Sequence, residues 1–147
     1  MNCSRGDVIL VRFPNSDLKT YTKRPALVVQ ADIETGLSQK IVALITSNRA
    51  RTGPTRVFVL KNSDLGTQMG LQIDSVVVVD NLATILEREM DKIIGKSTEW
   101  SPVADALRKT FGLDLSFPAE TKRSIIQVAD ALRKTFGLDS ETARRNS

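Results

Sequence analysis

Up to residue 96 the apolar residues come in short runs, each soon interrupted by proline, glycine or a polar cluster. Residues 8–13 stop at Pro14, residues 24–30 open on Pro25, and residues 41–45 end in Thr46-Ser47-Asn48. Residues 56–60 follow the turn signal Gly53-Pro54. The runs are rich in β-branched side chains, which crowd a helix and fit a pleated surface. They predict strands at 8–13, 24–30, 41–45, 56–60, 72–79, 82–86 and 92–95. Polar loops are expected at 15–23, 34–38 and 49–55, with breaks at Gly66 and Gly70. Short strands at this spacing point to a small β-barrel or a strongly coiled sheet. Aromatics make up only 5% of the chain, so its core has to be mostly aliphatic.

Near Ser101 the pattern changes. Ser101-Pro102 has the form of an N-cap followed by proline at the first helical position. Val103, Ala106, Leu107, Thr110 and Phe111 then share one helical face, opposite Asp105, Arg108 and Lys109, and Gly112 is a natural stop. The twelve letters of 103–114, VADALRKTFGLD, recur unchanged at 128–139. Two copies fall short of the three or so that a helical array needs, so the repeat reads as a local duplication. Ile125, Val128, Leu132 and Phe136 are spaced for one face of a second helix. The expected organisation is a domain over 1–114 and a helical tail over 115–147.

Composition removes several classes of function. No apolar run approaches the ~20 residues of a membrane span. Nor does a basic stretch followed by a long apolar one open the chain, so a cytoplasmic protein is expected. Cys3 is the only cysteine and there is no histidine, which excludes an internal disulfide, a Cys/His zinc site, and Ser-His-Asp or Cys-His catalysis. Cys3 is expected to be a passive thiol. Scattered carboxylates form no recognisable calcium loop, and no Gly-rich phosphate loop is present, so neither metal nor cofactor is expected. Acid–base work would fall to Arg, Lys, Asp, Glu, Thr, Ser or Tyr. The net charge of +4 is compatible with a polyanionic partner.

Five segments together resemble one family. Arg5-Gly6-Asp7-Val8 opens the first run, and Lys23-Arg24-Pro25-Ala26-Leu27-Val28-Val29 opens the second. Val42-Ala43-Leu44-Ile45-Thr46-Ser47 closes the third, Asp74 to Asn81 reads DSVVVVDN, and Ile93-Ile94-Gly95-Lys96 ends the β-rich part. In order and spacing they resemble the PemK/MazF-like toxins of bacterial toxin–antitoxin pairs. That resemblance implies a mainly β fold with a C-terminal helix, an SH3-like barrel, here followed by the helical extension of the repeat. It implies a sequence-selective endoribonuclease that cuts single-stranded RNA, using the substrate's own 2′-hydroxyl and leaving a cyclic phosphate and a 5′-hydroxyl. It further implies a homodimer, a cognate antitoxin bound through an acidic segment, and contact with operator DNA through the toxin–antitoxin complex.

The catalytic pair carried over by resemblance is Arg24 and Thr46. The chemistry suits these residue types independently. A guanidinium can clamp two oxygens of a phosphorane, and a threonine hydroxyl can donate to a phosphate oxygen or orient the attacking hydroxyl. Taken alone, an arginine before a strand-starting proline is ordinarily a solvated charge, and a strand-end threonine a turn residue. Some relatives place a catalytic aspartate at the position of Asp80, with an arginine two residues earlier, where this chain has Val78. Asp80 is therefore a third candidate, able to act in catalysis, to orient Arg24 or to contact a base. Candidate RNA-binding residues are Lys19, Tyr21 and Lys23 of the first loop, Ser47, Asn48 and Arg49 after the third strand, and Asn81; Arg51 extends the same rim. Asp7 is expected to be structural. Open alternatives are a non-catalytic nucleic-acid-binding barrel and a gyrase-poisoning toxin of the same fold.

Overall fold

Six strands form where the β-branched runs lie: β1 (Asp7–Pro14), β2 (Tyr21–Val28), β3 (Gln39–Thr46), β4 (Arg56–Val59), β5 (Ser75–Leu86) and β6 (Met90–Lys96). The helices are α1 (Asp64–Gln68), α2 (Ser101–Phe111) and α3 (Ala119–Phe136). The computed structural model describes residues 2–14, 17–50, 52–113 and 119–137, of which 13–14 and 119–127 are described by backbone alone. Among these residues no helix is long and apolar enough to cross a membrane.

All strand pairs are antiparallel, in the order β4-β5-β3-β2-β1-β6. The expectation of a mainly β chain with a C-terminal helix holds. The sheet, however, is open: β4 and β6 are its two edges, and no ladder joins them among the described residues. It is nevertheless strongly curled. Between β5 and β6 in sheet order lie four inter-strand spacings, roughly 19 Å if the sheet were flat. The chain joins Leu86 to Met90 through a single 3-10 turn, Glu87–Glu89, and four residue steps reach at most roughly 14 Å. Only a curled sheet can satisfy both.

The main departures from the sequence expectation have identifiable causes. β2 starts at Tyr21 rather than Arg24, because β1 runs on to Pro14 and offers partners as far as Pro14 opposite Tyr21. The runs at 72–79 and 82–86 are one strand, since a bulge absorbs the polar residues between them. α1 forms around Gly66, where the Ser63 hydroxyl caps the helix by accepting the Gly66 N–H at 3.0 Å.

Pleat alternation divides the core into two faces. Leu27, Val29, Ala43, Ile45, Val77 and Val79 meet Val103, Ala104, Ala106 and Leu107 of α2. Ala26, Val28, Ile9, Val11 and Val42 lie on the other face with Cys3, Ile85 and Met90. α2 begins at Ser101 with Trp100 as its N-cap and no side-chain cap, so Ser101 is the first helical residue and not the cap. α3 docks by its last turns: Ala129 and Phe136 are buried and Leu132 is half-buried, whereas Val128 is 62% exposed. Leu132 and Phe136 thus lie on the expected face, Ala129 is buried in place of the expected Val128, and the side chain of Ile125 is outside the described residues. The Phe136 ring sits 4.9 Å from that of Phe111, and the Ala31 N–H donates to the Thr135 carbonyl at 3.0 Å. Arg5 stacks on Trp100 at 4.6 Å and donates from Nη1 to the carbonyl of Gly137.

Candidate active site

The ladder between β2 and β3 runs from Val28–Val42 to Ala26–Leu44 and stops there. Next on β2 comes Pro25, which has no N–H to donate. Continued in register, the following same-face pair is Arg24 and Thr46. Two residues far apart in the chain are therefore delivered to the exit of one ladder, on the face that carries Ala26 and Leu44. The row extends in both directions, with Val11 opposite Arg24, Val76 opposite Thr46, and Phe58 opposite Val76.

Arg24 is exposed and Thr46 half-buried. Thr46 Oγ1 accepts the Asn48 N–H at 3.2 Å, and Asn48 Oδ1 accepts the Ala50 N–H at 3.1 Å. In this local turn the hydroxyl oxygen is an acceptor from the backbone, and a hydroxyl has one O–H to donate besides. Ser47, Asn48 and Arg49 are exposed on the same turn. Arg49 is tied back to Asp74 at 2.9 Å, and Asp74 also accepts the Lys61 N–H at 2.9 Å, which anchors the loop to the start of β5. Arg51 lies outside the described residues.

Tyr21 and Lys23 belong to β2 and not to a loop. By strand alternation their side chains leave β2 on the face opposite Arg24. Lys23 pairs with Asp91 at 3.2 Å, and Tyr21 is 65% exposed. Lys19 lies in a turn organised by Asp17, whose carboxylate accepts the N–H groups of Lys19 and Thr20. Those hydrogen bonds, led by the one from the Thr20 amide, hold the Asp17 carboxyl below its ordinary range. Asp7 has a structural part, accepting the Ser4 N–H at 2.8 Å.

Asp80 and Asn81 sit on the β5 bulge. Leu44 faces Val78 and the adjacent Ala43 faces Leu82, so residues 79–81 have no partner on β3. Both side chains are exposed there, as bulges next to functional surfaces often arrange. Asp80 lies in the bulge just beyond Val78, and Val78 is two residues, roughly 7 Å, along the strand from Val76, the position facing Thr46. Its carboxylate is occupied by Arg56, with Nε to Oδ1 at 3.3 Å and Nη2 to Oδ2 at 3.2 Å. In the sequence Arg56 reads as an ordinary strand start. Yet the β4–β5 register sets it directly across from Val78. A cation thus stands across from Val78, supplied by the neighbouring strand.

A family model of PemK-like, MazF-like toxins of type II toxin–antitoxin systems matches residues 4–111. The chain belongs to this family. Solved structures similar to this PemK/MazF-like chain include toxin MazF-mt6 of Mycobacterium tuberculosis, with 26% identity and a TM-score of 0.59, over 74% of this chain and 99% of that one. An endoribonuclease in complex with its cognate antitoxin, from a mycobacterial species, matches with 25% identity and a TM-score of 0.58, over 80% of this chain and all of that one. The MazE–MazF structure from Deinococcus radiodurans has a chain 21% identical, with a TM-score of 0.54, over 79% of this chain and 99% of that one, and shows likeness of fold alone. No curated protein sequence matches the chain. The family match ends at the last residue of α2, so α3 and the second copy of the repeat lie beyond it.

Proposed function

We propose that this toxin-family chain is a sequence-selective endoribonuclease that cuts single-stranded RNA by 2′-hydroxyl transesterification. The observation that carries the reading is the register that sets Arg24 and Thr46 on one face at the exit of the β2–β3 ladder. The substrate's 2′-oxygen attacks the adjacent phosphorus, its proton passes to water or a carboxylate, and a 2′-O–P bond forms. The P–O5′ bond breaks, the 5′-oxygen takes up a proton, and the products are a cyclic phosphate and a 5′-hydroxyl. Because the nucleophile belongs to the substrate, the step needs no metal-bound water. Arg24 stabilises the extra charge of the phosphorane through two N–H donors, while Thr46 donates to a phosphate oxygen. With a pKa above 12, Arg24 serves as an electrostatic clamp before it serves as an acid. Ser47, Asn48 and Asn81 are exposed amide and hydroxyl groups suited to reading base edges. A cognate antitoxin and a homodimeric state complete the proposal, with the acidic segment of the antitoxin meeting the basic rim.

The test is cleavage of a long single-stranded RNA in EDTA, with analysis of product ends. Discrete cuts ending in cyclic phosphate and 5′-hydroxyl are expected. Arg24→Ala and Thr46→Ala should each lower kcat by about 10²–10³-fold, the usual cost of removing one donor aimed at developing charge. A folded wild-type protein that binds RNA without cutting it would overturn the enzyme reading in favour of a binding module.

A further inference from the structure

We infer that β4 carries a second RNA subsite, in which Phe58 stacks on a base and Arg56, held in place by Asp80, binds a backbone phosphate next to it. The inference rests on the ribonuclease reading above and extends its binding track to the edge of the sheet. Phe58 belongs to the row that contains Thr46, two strand spacings away, or roughly 10 Å. Val76, between them, is fully buried. Phe58 itself is 46% exposed although its neighbour Val59 is buried, so the edge strand presents an aromatic ring to solvent on the face that bears Arg24 and Thr46.

Arg56 precedes Phe58 by two residues and so shares its face. Its guanidinium has five N–H donors. Among the described residues, two go to the Asp80 carboxylate, and Nη1 donates to the Thr52 carbonyl at 3.4 Å. The remaining donors point away from Asp80 in a plane already fixed by the two-pronged contact, so less freedom is lost when a phosphate binds. An exposed aromatic ring beside an oriented arginine is the combination by which single strands are held without base pairing. Asp80 is then a positioning residue acting through Arg56.

The experiment follows from the cleavage assay, which supplies the cut sequence. An oligonucleotide of that sequence with a 2′-deoxyribose at the cleaved position binds but cannot react. Its affinity is measured by fluorescence anisotropy for wild type, Phe58→Ala, Phe58→Trp, Arg56→Ala and Arg56→Lys, alongside kcat and KM on the RNA. Phe58→Ala and Arg56→Ala are expected to weaken binding and raise KM by about 10-fold each, with kcat changed less than three-fold. Phe58→Trp should restore binding, and Arg56→Lys should restore it only in part. Asp80→Asn should weaken binding only while Arg56 is present. Unchanged affinity in both alanine variants, or a fall in kcat at constant KM, overturns the subsite and leaves the ribonuclease reading standing. If wild type neither cuts nor binds, it is the ribonuclease reading that fails, and the subsite with it.

Discussion

Single residues here are explained by their surroundings more than by their type. Cys3 is 2% exposed, with its Sγ 3.7 Å from Met90 Sδ, and burial pushes its thiol above the ordinary range despite the opposing pull of Lys40. The neutral form is therefore favoured in the fold. The unfolded chain loses this proton first as pH rises. The resulting contribution to stability is complete below the ordinary thiol pKa and is lost as pH climbs through the raised folded value. Native protein at neutral pH should leave Cys3 unmodified by a thiol reagent that reacts at once in denaturant. Stability measured against pH should fall in the alkaline range for wild type and stay flatter for Cys3→Ala. Rapid labelling of the native protein would show that the thiol is accessible after all. The same dependence on context governs Arg49 and Lys23: both look like free rim cations in the sequence, and both are tied to carboxylates, Asp74 and Asp91.

Among the elements, β5 and the α1–β6 contact shape the sheet. The bulge at 79–81 turns β5, so that one strand pairs with β4 and β3 before it and continues with β3 after it. The end of α1 lies on β6 at backbone contact. A Cβ added at Gly95 would stand 2.3 Å from the Met69 carbonyl carbon and 2.4 Å from the Gln68 oxygen. Backbone cannot move aside as a side chain does. Gly95→Ala should cost roughly 1–3 kcal/mol in urea denaturation, the range seen for overpacked sites. A change within experimental error would mean that α1 shifts freely on β6. In the sequence Gly95 reads as a strand end within a family segment, and its need to lack a side chain does not show, because the atoms that forbid one come from a different element.

For the whole molecule, the repeat provides an internal control. Residues 103–112 and 128–137, identical in sequence, end a helix twice with the same local features. Gly112 and Gly137 both adopt the left-handed conformation, at φ 69° and 63°. Arg108 pairs with Asp105 at 3.1 Å, and Arg133 with Asp130 at 3.3 Å. Thr110 donates to the Ala106 carbonyl as Thr135 does to that of Ala131. Burial does not repeat: Val103 is 3% exposed against 62% for Val128, while Phe111 is 41% exposed against 6% for Phe136. Val103→Ala should therefore cost roughly 2 kcal/mol of stability, whereas Val128→Ala should fall within about 0.5 kcal/mol of wild type. Equal losses in chemical denaturation would contradict the placement of α3.

Strand and helix types, the left-handed glycine stops, the Asp–Arg pairs and the family segments depend on residues within a few positions of each other, so they could be read from the chain alone. Arg24 and Thr46 could be named from their motifs, although only the β2–β3 register places them on one face. The tertiary structure alone decided that β5 is one bulged strand, that Tyr21 and Lys23 leave β2 away from Arg24, and that Arg56 meets Asp80 across from Val78. Each of these is a relation between segments distant in sequence. It is fixed by strand pairing and by which surfaces are available for burial, and neither is encoded in a local run of residues.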